Sequence, residues 1–507
     1  MTVGEFEPVI GLEVHAQLVT RSKVFCGCPA VYGAEPNTQV CPVCLGLPGA
    51  LPVLNREAVS MAIRMGLATH CSIAPRSVFA RKNYFYPDCP KNYQISMYDK
   101  PLCENGYLEI EVGGAAKRIG IERVHLEEDA GKLLHGDVGG SLVDFNRCGV
   151  ALIEIVSRPD IRSPEEASQY LQMLRRTLRY LEICDGNMEE GSLRCDVNVS
   201  VRRTGAEKMG TKTEIKNLNS FKAAEMGIRY EIDRQIDVIR SGGTITQVTN
   251  LWDAAAKRVM TMRSKEYAHD YRYFPEPDLL PLEVDEAWIE GIVRTMPELP
   301  LERERRFRDV YGLPAYDAAV LSDERALADY YEEVVRAGSD PKLAANWVMR
   351  EVLEEVKTGA GAQSVREEGK ATAAEGVFLG ASGRAAKGSA FAMRWPLEPA
   401  RLAALIKLVK TGAISGSAGR EVFKDMVRSG EAADAVVGKL GLRQVSGGDE
   451  LGPWVDEVIR DNPNEAARYK AGKTQLLGFF VGQVMKKSGG KANPKIAGDL
   501  IKKRLEG

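Results

Sequence analysis

The chain has 507 residues and a mass of 55.6 kDa, with 44% hydrophobic and 27% charged residues, ordinary values for a globular chain of two to four domains. Its net charge of −2 excludes a uniformly basic surface. No run approaches the ~18 apolar residues a membrane span needs, and the opening "MTVGEFEP" lacks the basic start and apolar core of a signal peptide, so a cytoplasmic chain without membrane attachment is expected.

In chain order, "VIGLEVHAQL" comes first. Ile10, Leu12, Val14, Ala16 and Leu18 alternate with Glu13, His15 and Gln17, the period of a β-strand with one apolar face. Next, "CGCPAVYGAEPNTQVCPVC" places Cys26 and Cys28 a short loop away from Cys41 and Cys44. Two close pairs of thiols in a chain expected to stay reduced read as a closed structural Zn²⁺ site, the alternative being four unrelated buried thiols. "RKNYFYPDCPKNYQIS" then mixes Arg81, Lys82 and Lys91 with Tyr84, Phe85, Tyr86 and Tyr93, a pattern that suits phosphates and stacked bases as well as packed surface tyrosines. "RVHLEEDAGK" brings His125, Glu127, Glu128 and Asp129 to the end of a strand.

In "GVALIEIVSRPD", Glu154 stands alone in an apolar run, where a desolvated carboxylate needs a cation or a hydrogen-bond partner. The stretch "SPEEASQYLQMLRRTLRYL" predicts a helix capped by Ser163 with Pro164 in its first turn, and a second helix begins near Ser220. "GSLRCDVNVSVR" alternates again, with Arg194 and Asp196 on its polar side, and "TKTEIKNL" puts Lys212, Glu214 and Lys216 on one face. "MRSKEYAHDYRYFPEPD" adds Arg263, Lys265 and Arg272 among tyrosines. A sheet whose polar face gathers acids, imidazole and bases is a floor for a Mg²⁺–nucleotide site; for any one strand, a solvent-facing polar side explains as much.

After Pro297 the pattern turns helical, with "DERALADYYEEVV", "KLAANWVMREVLEEV", "LEPARLAALIKLVKTG" and "NPKIAGDLIKKRL". A Gly/Ala-rich insertion over about 358–389 interrupts it. From Arg401 onward there are 19 Lys/Arg against 12 Asp/Glu, so a basic tail follows a chain that is otherwise net acidic, fitting a phosphate backbone as well as a solvated helical surface. "AGKT" at Ala471–Thr474 mimics the end of a P-loop, but Ala467 replaces the earlier glycine. No serine-rich amidase stretch and no cysteine nucleophile with a general base is present, so the chain is not expected to release ammonia itself.

Taken together, "IGLEVHAQL", "CPVCLGLPGALPVLN", "FARKNYFYPDCPKNYQIS", "HLEEDAGK", "DFNRCGVALIEIVSRPD", "GSLRCDVNVSVR", "TEIKNLNSF", "RSKEYAHDYRYFPEPDLLPL" and "GFFVGQVMKKSGGKANP" closely resemble the GatB family, the B component of the tRNA-dependent amidotransferase. The resemblance spans nearly the whole chain. It implies an α+β fold: a catalytic cradle domain over 1–295 with a glutamine-synthetase-like antiparallel sheet and a zinc knuckle near 26–44. A helical domain over 296–410 and a YqeY-like, tRNA-binding tail over 411–507 would follow. The Gly/Ala-rich stretch is longer than the family pattern and leaves that first helical boundary open.

The resemblance implies a ligase that phosphorylates the side-chain carboxylate of mischarged Glu-tRNA(Gln) or Asp-tRNA(Asn) with ATP and Mg²⁺. Ammonia from an amidase A component then displaces phosphate, a small C component clasps the heterotrimer, and the cognate aminoacyl-tRNA synthetase is a further partner; membrane and DNA are not. By the same resemblance Glu13, His15, Glu128 and Glu154 form a metal-centred catalytic cluster. Asp196 is added as a cofactor contact beside Lys82, Lys91, Lys212, Lys216, Arg263 and Lys265. The alternatives are a tRNA-docking scaffold with an inert cluster and a ligase for free glutamate, the second disfavoured by the basic tail.

Overall fold

A computed structural model describes residues 4–135, 140–264, 271–358, 391, 393–444, 448–489 and 491–506. The chain divides into two compact units, Met1–Pro300 and Leu301–Gly507.

The first unit is built on a nine-stranded sheet. Its strands are β1 (Phe6–Gln17), β2 (Ser72–Ile73), β3 (Cys103–Val112), β4 (Ala115–Glu128), β5 (Ala151–Ser157), β6 (Leu193–Arg203), β7 (Thr213–Lys216), β8 (Val248–Asp253) and β9 (Arg258–Ser264), in the spatial order 9-8-7-6-1-5-4-3-2. Every neighbouring pair is antiparallel except β7 with β8. The opening strand lies at the middle of the sheet. Its Ile10, Leu12, Val14 and Ala16 are fully buried, while His15 and Gln17 remain partly open.

Helices cover the apolar face. Arg56–Ala68 packs on β4, Pro164–Tyr180 on β3, and Phe221–Arg240 on β6. The two expected serine caps are in place, since Ser163 accepts from the Glu166 N–H and Ser220 from the Ala223 N–H. The first helix comes so close to the sheet that a Cβ on Gly106 would stand 2.3 Å from the Thr69 carbonyl oxygen, so only glycine fits there. This is an α+β layer pair, with helices on one side and, among the described residues, a helix-free polar face on the other. Leu12→Ala is therefore expected to cost about 2–5 kcal/mol, because the cavity forms between sheet and helices; a lowered midpoint of chemical unfolding checks it.

The second unit is helical. One core runs from Phe307 through Trp347, Leu402 and Phe423 to Val437, and another from Leu451 through Phe480 to Leu505. Of the expected helices, Arg325–Arg336, Pro399–Lys410 and Pro494–Glu506 form as read, and the helix from Pro341 runs through a π-helical turn at Val348–Val352. The boundary expected at 411 does not coincide with a break in packing. Val422, Phe423, Met426 and Val436 join the core of Leu402, Leu405 and Ile406, so the cores separate between residues 442 and 451. The insertion over about 358–389 lies outside the described residues, except Thr358 at a helix end. Among the described residues no helix is long and apolar enough to cross a membrane.

Candidate active site

The polar face can be laid out row by row from the register of the strands, because directly paired residues share a face. Glu154 of β5 pairs with His125 of β4 on one side and His15 of β1 on the other, and His15 pairs with Arg194 of β6. One row toward the start of β1, Val156, Glu13 and Asp196 line up, with Arg123 next to Val156. One row the other way, Glu127 and Gln17 flank Leu152. A final row at the far end joins Gly11, Asn198, Glu214 and Thr249.

These rows converge on one point. His15 Nε2 lies 3.4 Å from Glu154 and 3.8 Å from Glu127, while His125 Nε2 lies 3.5 Å and 3.6 Å from the same two carboxylates. A ligand atom from each of His15, Glu127 and Glu154 lies within 4.8 Å of the other two. Two carboxylates beside an imidazole at this spacing suit a divalent cation such as Mg²⁺ or Mn²⁺. Electrostatics agree. Burial pushes Glu154 and Glu127 up, but the neighbouring imidazoles and Lys82 overcome it, and both carboxyls sit below their ordinary range. Burial disfavours a charged His15, yet Glu154 and Glu127 raise its proton affinity on balance.

Glu128 does not join this cluster. Strand alternation turns it to the opposite side from His125 and Glu127, where it ion-pairs with Lys91 and accepts from the Ile95 N–H at 2.8 Å. Glu127 takes the position expected for Glu128, and parity with His125 is the signal that finds it. Glu13 stands one row off, held by Asn198 Nδ2 at 3.0 Å; burial and then the negative charges of Glu154, Glu214 and Asp196 raise its pKa. Sequence reading also misses the supporting role of Asp129: it accepts from Arg194 at 2.9 Å and from Gln17 at 2.7 Å, tying β4 to β1 and β6.

The expected cofactor contacts separate into groups. Lys82 sits in a small sheet, Ala80–Asn83 with Tyr93–Ser96 and Tyr273–Pro275, and burial, which lowers its pKa, is outweighed by Glu127, Tyr273 and Glu154. Lys91 is bound to Glu128, apart from the cluster. Lys212 lines an open cleft of about 520 Å³ with Glu13, Asn198, Arg123 and Gly11, a volume within the usual range for small-molecule sites. Asp196 and Lys216 pair with each other, and Lys216 also lies 3.3 Å from Glu214. Arg263 belongs to β9, opposite Thr249, but its side chain and the whole of Lys265 lie outside the described residues.

The four knuckle cysteines do converge, with all four sulfurs within 4.8 Å of one another. Cys41 and Cys44 are 3.9 Å apart, close to the ~3.8 Å that two thiolates on a tetrahedral zinc with ~2.3 Å bonds require. The quartet fits a closed metal site. Behind it, the fully buried Lys23 donates to Cys44 Sγ at 3.6 Å and to the Phe145 carbonyl at 3.3 Å. All ten cysteines are free thiols.

Comparison with known proteins bears on both units. Residues 8–290 match the family described as "GatB/GatE catalytic domain", and residues 329–505 the one described as "GatB domain". The chain is 52% identical over 502 residues to the B component of the aspartyl/glutamyl-tRNA(Asn/Gln) amidotransferase of Thermodesulfovibrio yellowstonii, covering 99% of this chain and 100% of that one. It is similar at 52% over 507 residues to the protein of that name from Geotalea daltonii and at 52% over 506 residues to the one from Halorhodospira halophila, each again covering 99% of this chain and 100% of the relative.

Proposed function

The chain belongs to the GatB family, the B components of the aspartyl/glutamyl-tRNA(Asn/Gln) amidotransferase, a ligase-type complex of protein biosynthesis, and from that premise we propose that its polar face activates the substrate by phosphorylation. The γ-phosphoryl group of ATP passes to the side-chain carboxylate of Glu-tRNA(Gln) or Asp-tRNA(Asn), leaving ADP and an acyl phosphate. Ammonia then attacks the carbonyl carbon, phosphate departs, and the amide remains after loss of a proton. The logic is chemical: oxide is too poor a leaving group for ammonia to displace, whereas phosphate leaves readily.

The observation that carries this reading is the convergence of His15, Glu127 and Glu154 on the polar face beside an open cleft lined by Lys212 and Arg123. These three residues would hold Mg²⁺, which when bound neutralises phosphate oxygens. The chain's own groups supply the rest. His125 and Arg123 flank Glu154 at 3.5 Å and 3.9 Å and orient its carboxylate. Lys212 offers positive charge to a triphosphate in the cleft, and Lys82 adds positive charge on the Glu127 side of the cluster. The cysteine quartet would hold a structural Zn²⁺, a role that its closed S₄ donor set suits.

The source of ammonia is an amidase A component, with a small C component completing a cytoplasmic heterotrimer and the cognate synthetase as a further partner. The helical tail over 411–507 would carry the tRNA. Its net positive charge from Arg401 onward supports that role. The test is ATP cleavage by the assembled complex with mischarged tRNA present or absent. Cleavage is expected only with Glu-tRNA(Gln) or Asp-tRNA(Asn); tRNA binding without cleavage would instead make the chain a docking scaffold.

A further inference from the structure

The small sheet beside the cluster has a face of its own. Across it, Tyr273, Lys82 and Gln94 form one cross-strand row, and Ser96 lies on the same side. Gln94 Nε2 donates to the Glu128 carbonyl at 2.6 Å and Ser96 Oγ to Glu127 Oε2 at 3.0 Å. That side therefore looks at the end of the polar face where Glu127 stands. Tyr98 lies flat on Tyr273 there, ring centroids 4.1 Å apart and planes within 11°, yet Tyr98 is 56% exposed. Tyr271 is 39% exposed, with the Lys82 ammonium 5.0 Å from its ring centre. Rings this open contribute little to a core, and their flat faces are available to stack.

The far end of the polar face is built differently. The cleft around Gly11, Asn198, Met209, Gly210 and Lys212 has no aromatic ring in its lining among the described residues. Gly11 at one end and Gln17 at the other lie about 20 Å apart along the extended β1. The cluster lies between them. Two ligands that meet at the cluster can each use one end: a triphosphate suits the backbone and Lys212 of the cleft, and an unpaired nucleobase suits the tyrosines.

We propose that Tyr98, Tyr271 and Tyr273 form a stacking platform for the unpaired 3′-terminal nucleotides of the aminoacyl-tRNA, which enter from the small sheet while ATP occupies the opposite cleft. This rests on the activation reading above and adds the side from which each substrate approaches. Lys82 lies between the platform and Glu127 and meets the terminal phosphates.

The experiment uses the complete complex with Tyr98→Ala and Tyr98→Phe, and Tyr98 is exposed enough that neither change threatens folding. The alanine variant is expected to raise KM for the aminoacyl-tRNA about tenfold, the usual scale for losing one base–aromatic stack, and to leave KM for ATP within about twofold; the phenylalanine variant keeps the wild-type values. In filter binding, wild type should prefer uncharged tRNA with its 3′ end over tRNA lacking the terminal unpaired nucleotides, and Tyr98→Ala should lose that preference. A rise in KM for ATP instead would assign the platform to the adenine of ATP and overturn the proposal. Wild-type behaviour of Tyr98→Ala in both assays would overturn it while leaving activation intact. Absence of tRNA-dependent ATP cleavage in wild type, run alongside, would overturn the activation reading and the proposal with it.

Discussion

Glu154→Gln is expected to lower tRNA-dependent ATP cleavage by a factor of about 10³, in the range found when charge stabilisation is removed from a preorganised site, while tRNA affinity stays nearly unchanged. Glu154 is the centre of its row. Its carboxylate faces His15 at 3.4 Å and His125 at 3.5 Å, and Arg123 lies 3.9 Å away. The amide keeps the shape but removes the charge on which both imidazoles and any bound cation depend. Glu127→Gln should behave in the same way. Glu128→Gln, whose carboxylate ion-pairs with Lys91 instead, should mainly lower stability, since it leaves a mostly buried ammonium without its partner. Single-turnover ATP cleavage of the three variants, with unfolding midpoints measured alongside, checks the contrast. A Glu128 variant that folds normally but is as inactive as the Glu154 variant would contradict it.

Cys44→Ser is expected to remove one equivalent of zinc per chain and to lower the thermal midpoint of the first unit by several degrees, with a strong chelator reproducing both effects on wild type. Metal binding to four thiolates is worth about 10–16 kcal/mol in isolated zinc-finger peptides. The loss is expected to be smaller here, because the knuckle is also fastened through protein groups: Asn37 and Asn146 bond across to the 143–146 and 31–39 segments, and Gln39 closes the loop on Val31. Hydrogen bonding from the Cys26 thiol and the charge of the buried Lys23 both lower the Cys44 pKa against the effect of burial, whereas the Cys26 and Cys28 thiols are pushed up. Elemental analysis and thermal unfolding measure the two effects. Unchanged metal content would exclude Cys44 as a ligand.

Alternation alone makes much of this legible. The apolar set of Val9–Leu18 forms the buried side of the central strand, and the polar set lies on the face where His15, Glu127 and Glu154 converge. Serine caps at 163 and 220 mark helices because their short side chains reach the first free N–H groups. The misplacement of Glu128 is avoidable: in a strand, residues sharing a face with His125 are odd-numbered as far as the alternation holds, which selects Glu127. Arg123 follows the same parity, because the pairing from Glu128 back to Arg123 is unbroken; the irregularity between Val156 and Ser157 begins beyond it, and such a bulge is a property of the strand pair, invisible in either strand alone. The pairing of Asp129 with Arg194 and Gln17 likewise depends on which strands become neighbours. The helical boundary near 411 misleads because the chain turns sharply at Gly412, φ +71°, a local signal of an ending, and then packs the next helix onto the same core.

Isotope transfer tests the central claim most directly. The assembled complex would be given ATP, ammonia and Glu-tRNA(Gln) whose side-chain carboxylate carries ¹⁸O, and the released phosphate would be analysed by mass. If the polar face phosphorylates that carboxylate, one ¹⁸O atom from each turnover appears in inorganic phosphate, and Glu154→Gln abolishes the transfer. Turnover that yields amide and phosphate free of ¹⁸O would contradict activation by phosphorylation.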